Sequence, residues 1–170
     1  MKKLVILILL CFCGLWASAQ NLVEDFFKKF GDSGVFTIVN VNAKMFSLIA
    51  DITDPETEGI IKNLTGFRLL KTESKMANAH SYYQEALALL KDKKEYEELM
   101  RVQEKIEDVR IYVREVKGVV TELVVLVFNP REFVLMGFTG NIDLKQISKL
   151  SKTVNVSGME YLDKAISKQK

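Results

Sequence analysis

The 170-residue sequence predicts an α+β domain, a mainly antiparallel sheet with helices packed on one face. Two observations establish the sheet. Val109, Ile111 and Val113 alternate with Arg110, Tyr112 and Arg114, the period-two pattern of a strand with one face buried and one wet. Beyond a Lys117-Gly118 turn, the apolar residues from Val119 to Phe128 are nearly continuous, as in a central strand covered on both faces. A third observation supplies the helices: apolar residues recur at helical spacing in segments bounded by capping residues.

Taken in order, Lys2 and Lys3, the apolar run Leu4 to Trp16 and the triplet Ala17-Ser18-Ala19 have the three parts of a secretory signal peptide, predicting a cut after Ala19. The apolar run is shorter than the roughly 20 residues a membrane span needs, and no later stretch qualifies. Neither Cys11, after Leu10, nor Cys13, after Phe12, follows the small residue that lipid attachment requires. The expected product is an exported domain of residues 20–170, located in the periplasm or on the outer surface.

Both cysteines leave with the signal, so thiolate metal sites and cysteine nucleophiles are excluded from the mature chain. Removal of Lys2 and Lys3 leaves 22 basic residues against 22 acidic. A neutral exported chain has no electrostatic reason to bind nucleic acid or an anionic membrane.

Leu22, Val23, Phe26, Phe27 and Phe30 share one face of an amphipathic helix that Gly31 stops. A face this apolar ordinarily packs on the chain's own sheet; it is also the candidate contact surface for a partner, because five large apolar side chains exceed what a short terminal helix usually needs. A strand over Val35 to Val41 and a helix over Ala43 to Ala50 follow. Asp54-Pro55-Glu56-Thr57-Glu58-Gly59 resembles half of a calcium loop but has Thr65 where a bidentate glutamate belongs. It fits better as a helix start, with Asp54 as cap and Pro55 at the first position, burying Ile60, Ile61 and Leu64.

Gly66 to Thr72 is a strand and Ala77 to about Lys91 a helix. His80, the one histidine, sits at the edge of that helix's apolar face without an obvious carboxylate partner and is assigned no chemistry. Tyr96 to Gln103 fits either a helix or a hairpin strand, and the strand is preferred. Asn129-Pro130 ends the central strand, and Phe133 to Thr139 forms the next. Asp143 with Gln146, and Ser157 with Glu160, have capping-box spacing, with Ile142 and Ile147, and Val156 and Tyr161, as hydrophobic staples. They predict helices from Leu144 to about Lys152 and from Gly158 to about Ser167.

Lys44-Met45-Phe46, Tyr96-Glu97-Glu98-Leu99-Met100, Thr121-Glu122-Leu123, the run Gly140 to Leu150 and Gly158-Met159-Glu160 together carry a resemblance. The chain resembles an uncharacterised family of exported Bacteroidota proteins, domain-of-unknown-function family 4252, across essentially the whole mature length. The resemblance implies export, supports a strand at Tyr96 to Gln103, and supplies no activity, cofactor or functional residue.

No catalytic, cofactor-binding or metal-ligating residue is assigned. The reading preferred is a non-catalytic cell-envelope module for a protein or peptide partner, since the chain lacks a phosphate loop, a nucleophile elbow and a metal-ligand cluster. Two alternatives stand beside it. A carrier of a small apolar or lipidic ligand would use Phe26, Phe27, Phe30, Phe46, Tyr82 and Tyr83 to line a pocket. An enzyme would use carboxylates such as Glu97, Glu98 or Asp108.

Overall fold

A computed structural model describes residues 21–72 and 78–147. The expected signal peptide and the helix from Gly158 lie outside these residues. Helix α1 (Leu22–Phe30) leads through a 3-10 turn (Gly31–Ser33) to strand β1 (Phe36–Asn42), and helices α2 (Ala43–Ala50) and α3 (Pro55–Ile61) follow. Strand β2 (Leu64–Thr72), helix α4 (Ala79–Asp92) and strands β3 (Tyr96–Gln103), β4 (Asp108–Val116), β5 (Val119–Asn129) and β6 (Glu132–Gly140) complete the order. The six strands form one antiparallel sheet, β1-β2-β6-β5-β4-β3. The α+β class and the strand at Tyr96–Gln103 are as expected.

Turn chemistry fixes the central hairpins. Lys117 and Gly118 both have positive φ, 53° and 80°, which matches a two-residue turn to the twist of β4 and β5. At the other end Asn129 Oδ1 accepts from the N–H groups of Arg131 and Glu132, closing β5 into β6. β5 is interior, and Leu123 to Val127 are at most 2% exposed.

The helices, expected on one face, divide between the two. Leu22, Val23 and Phe26 of α1 and Tyr83, Ala86 and Leu90 of α4 pack on Leu70, Val124, Leu126, Phe133 and Leu135. Ile60 of α3, Phe46 of α2, and Ile142 and Ile147 cover Leu69, Val109, Ile111, Val125 and Met136 on the opposite face. The reason is that β5 and β6 are apolar on both faces, so each face needs a cover. The face of β4 expected to be wet is covered for the same reason, and Tyr112 is buried there.

The end of α1 also differs from expectation. Gly31 keeps right-handed helical angles, and the chain turns at Gly34, with φ 71°. Asp54 and Asp143 act as the expected N-caps: Asp54 Oδ1 accepts from the Glu56 and Thr57 N–H groups, and Asp143 Oδ1 from those of Lys145 and Gln146. Asp54's carboxyl is held below its ordinary pKa by the side-chain and backbone hydrogen bonds of Thr57.

Candidate functional site

On the face that carries α1 and α4, the strand registers align a polar row across the whole sheet. Asn42 pairs with Gly66, Gly66 with Thr139, Thr139 with Glu122, Glu122 with Arg114, and Arg114 with Tyr96. Because side chains alternate between faces, this single register brings all six to the same side at the N-terminal end of α1. Glu122 lies at the centre of the row with no exposed surface.

Its two oxygens are treated differently. Oε2 accepts the Tyr96 O–H at 2.6 Å and has Arg114 Nε 3.4 Å away, while Oε1 is buried without a hydrogen-bond partner. The Tyr96 hydroxyl in turn accepts the Leu22 N–H at 2.9 Å, so the first turn of α1 is tied to the acid through one phenol. Burial raises the Glu122 pKa, and the Tyr96 hydrogen bond and the Arg114 charge offset only part of that rise. Burial and the neighbouring Glu122 carboxylate likewise push the Tyr96 phenol well up.

Beside Glu122 is a cavity of about 240 Å³. Two glycines make the room. A Cβ on Gly137 would lie 2.4 Å from Val23 Cγ2, so α1 crosses the sheet closely there, and a Cβ on Gly66 would lie 2.7 Å from Thr139 Oγ1. Asn40 and Asn42 of β1 contribute to one wall and Arg68 to another. Arg68 pairs with Glu24 and stacks over the Phe27 ring, 4.3 Å from its centroid.

The wall containing Asn40 and Asn42 belongs to an edge strand. Among the described residues β1 has one strand neighbour, β2, in continuous register from Phe36 to Asn42. It carries no charged residue, and Val39 is 42% exposed. Met45, Leu48 and Ile52, on and just after α2, add exposed apolar surface. The opposite edge, β3, is guarded by Glu97, Glu98 and Arg101 and by a register shift between Glu98 and Met100.

Of the expected contact residues, Leu22, Val23 and Phe26 are buried against the sheet. Phe27 and Phe30 are half-buried at its margin. This face therefore serves as core in the folded domain, because β2, β5 and β6 need cover on that side. Of the aromatic residues considered for an apolar pocket, Phe26, Phe30 and Tyr82 pack on one another and Tyr83 on the core: Phe26 lies 4.7 Å from Phe30, Phe30 5.3 Å from Tyr82, and Tyr83 6.3 Å from Phe133, centroid to centroid.

The carboxylates considered for catalysis are not brought to one cleft. Asp108 takes paired hydrogen bonds from Arg101 and Arg110, Glu98 accepts the Tyr112 O–H at 2.7 Å, and Glu97 is exposed. His80 is exposed, edge-on to Phe128 at 5.5 Å, beside a second, more open hollow of about 320 Å³ that Tyr83 and Asp108 also line. Among the described residues no group of three or more His, Cys, Asp and Glu could hold a metal ion, and no helix is long and apolar enough to cross a membrane. In the sequence Glu122 enters only within the Thr121-Glu122-Leu123 mark of the resemblance, with no role assigned to it. The available signal was a lone acid inside a run expected to be covered on both faces.

A family model described as a domain of unknown function (DUF4252) matches residues 30–150, well over half of the chain. The match includes every strand of the sheet, whereas α1 lies almost entirely before it. No curated protein matches the chain.

Proposed function

The chain belongs to the DUF4252 family, and from that premise we propose that it is an exported, non-catalytic envelope domain that binds a protein partner by taking an extended segment of it along β1. The observation that carries this reading is the contrast between the two sheet edges. β3 has the charges and the bulge with which proteins block strand addition, and β1 has neither. A strand with one strand neighbour among the described residues offers main-chain hydrogen bonds on its other side for affinity, and exposed side chains beside it offer selectivity. Val39, Met45, Leu48 and Ile52 supply those side chains. Export is supported by the basic start, apolar middle and small-residue end of residues 1–19. A non-catalytic role is supported by the arginine pairing of Asp108 and by Arg110, which also holds Glu98.

Selection from a random peptide library on the immobilised mature protein tests the reading, followed by amide hydrogen exchange with a selected peptide bound. The expected result is protection concentrated in Phe36–Asn42, and loss of peptide binding in Val39→Lys, which places a charge on the edge. Protection elsewhere, or unchanged binding by Val39→Lys, overturns it. Export is tested by the intact mass of the processed protein, expected to begin at Gln20.

A further inference from the structure

The β1 edge supports an inference that rests on the strand-addition reading and names its partner. Among the described residues the sheet has two edges of opposite character. β3 carries Glu97, Glu98, Arg101 and a register shift, whereas β1 carries no charged residue and pairs with β2 without a break. One pairing edge and one blocked edge limit what the molecule can build from itself. Two copies joined through β1 use up both pairing edges, and the β3 edges left at the outside stop further addition.

Charge around β1 fits that arrangement. Asp32, in the 3-10 turn before the strand, and Lys44, in the first turn of α2 after it, are both exposed. Neither has an ion-pair partner among the described residues. Opposite charges at the two ends of an uncharged strand complement a second copy only when it runs antiparallel, which brings the Asp32 end of each to the Lys44 end of the other. The exposed apolar side chains lie on matching faces. Val39 is opposite Leu69, so it points to the face that α2 and α3 cover. Met45 and Leu48 of α2, with Ile52 just past its end, recur at helical spacing beside the inward Phe46 and Ala50. A two-fold axis normal to the sheet keeps each face on its own side, so both α2 helices flank the junction on the side of the two Val39 side chains.

We propose that β1 pairs antiparallel with β1 of a second copy about a two-fold axis at Val39, forming a closed dimer with one continuous sheet. Phe36 of one copy then lies opposite Asn42 of the other, Ile38 opposite Asn40, and Val39 opposite Val39. Main-chain hydrogen bonds join the edges, the apolar stripes of α2 are shielded from water beside them, and Asp32 with Lys44 of the other copy closes each end. A partner of different sequence would have to supply the same charges in the same order. A second copy does so by symmetry.

Sedimentation equilibrium of the mature protein over a wide concentration range is expected to fit monomer and dimer alone. Val39→Lys sets two like charges face to face at the axis and should weaken the dimer about tenfold or more. Asp32→Lys and Lys44→Asp, on exposed side chains outside the strand, each turn two attractions into two repulsions. Each should weaken the dimer about fivefold at low salt, and less at high salt. Mixing these two variants, or combining both changes in one chain, restores opposite charges at both ends and should return the parent's dissociation constant. A merely structural effect of either change would not be recovered in that way. Amide exchange of the parent should show protection of Phe36–Asn42 that grows with concentration.

A parent that stays monomeric, association that runs past the dimer, or charge variants whose mixture does not recover overturns the proposal. A monomer whose β1 is protected by a selected peptide removes the second copy and leaves strand addition standing. A dimer that protects a different surface while the peptide still binds along β1 does the same. Protection of Phe36–Asn42 at every dilution would put another segment of the same chain on the edge, which overturns both readings.

Discussion

Glu122 and Asp108 are both buried acids, and their partners move them in opposite directions. Burial raises the Glu122 pKa above its ordinary 4.5, and the donors present do not reverse it. At Asp108 burial also acts upward, but the hydrogen bonds from Arg101 and Arg110 outweigh it and hold the carboxyl below 3.8. The consequences for stability have opposite signs. The folded protein keeps a proton on Glu122 at a pH where the unfolded chain has lost it, so stability falls as pH rises above about 4.5 through the raised pKa. Glu122→Gln removes that titration while keeping an acceptor for Tyr96. Its stability relative to the parent should therefore improve in denaturant melts as pH rises above about 4.5, and level off once pH passes the raised pKa. Asp108→Asn should be most destabilising at neutral pH, and the deficit should shrink as pH falls through the lowered pKa. A difference that does not change with pH in either variant would mean that the carboxyl has the same pKa folded and unfolded.

At the level of single elements, most boundaries were legible because local chemistry sets them. Asp54, Asp143, Lys117-Gly118 and Asn129-Pro130 act through hydrogen bonds or φ angles to near neighbours, and each does what its residue type predicts. Asp143→Ala should accordingly cost about 1 kcal/mol, read as a lower melting temperature. What local pattern did not carry was the destination of each apolar face. A helix with five large apolar residues reads the same whether it covers its own sheet or awaits a partner, and only the two-faced apolar character of β5 and β6 decides between them. Deleting Asn21 to Phe30 should therefore unfold the domain. Burial of Phe26 alone implies a loss of about 3–5 kcal/mol for Phe26→Ala, against a typical total of about 5–15 kcal/mol. Gly137→Ala tests the same packing more gently: its methyl group would press on Val23 and should cost about 1–3 kcal/mol as overpacking. A truncated chain that melts like the parent would return α1 to the surface.

Across the whole molecule, the candidate site was the least legible feature because it exists only in the register of all six strands. Asn42, Gly66, Tyr96, Arg114, Glu122 and Thr139 are scattered through the sequence, and no spacing among them suggests a row. The edge asymmetry is global in the same sense, since a stretch such as Phe36–Asn42 becomes an edge only once the strand order is known. That asymmetry has a consequence for the protein without a partner. An uncharged edge with a continuous register is a template for a second chain, whereas β3 opposes pairing with Glu97, Glu98 and Arg101. Light scattering at increasing protein concentration should show self-association in the parent and less of it in Val39→Lys. Since Val39 is 42% exposed, that substitution should change stability by no more than about 0.5 kcal/mol, which separates an effect on the edge from an effect on the fold. Equal association in both proteins, with equal melting temperatures, would show that β1 is not the adhesive edge, and the strand-addition reading would lose its support with it.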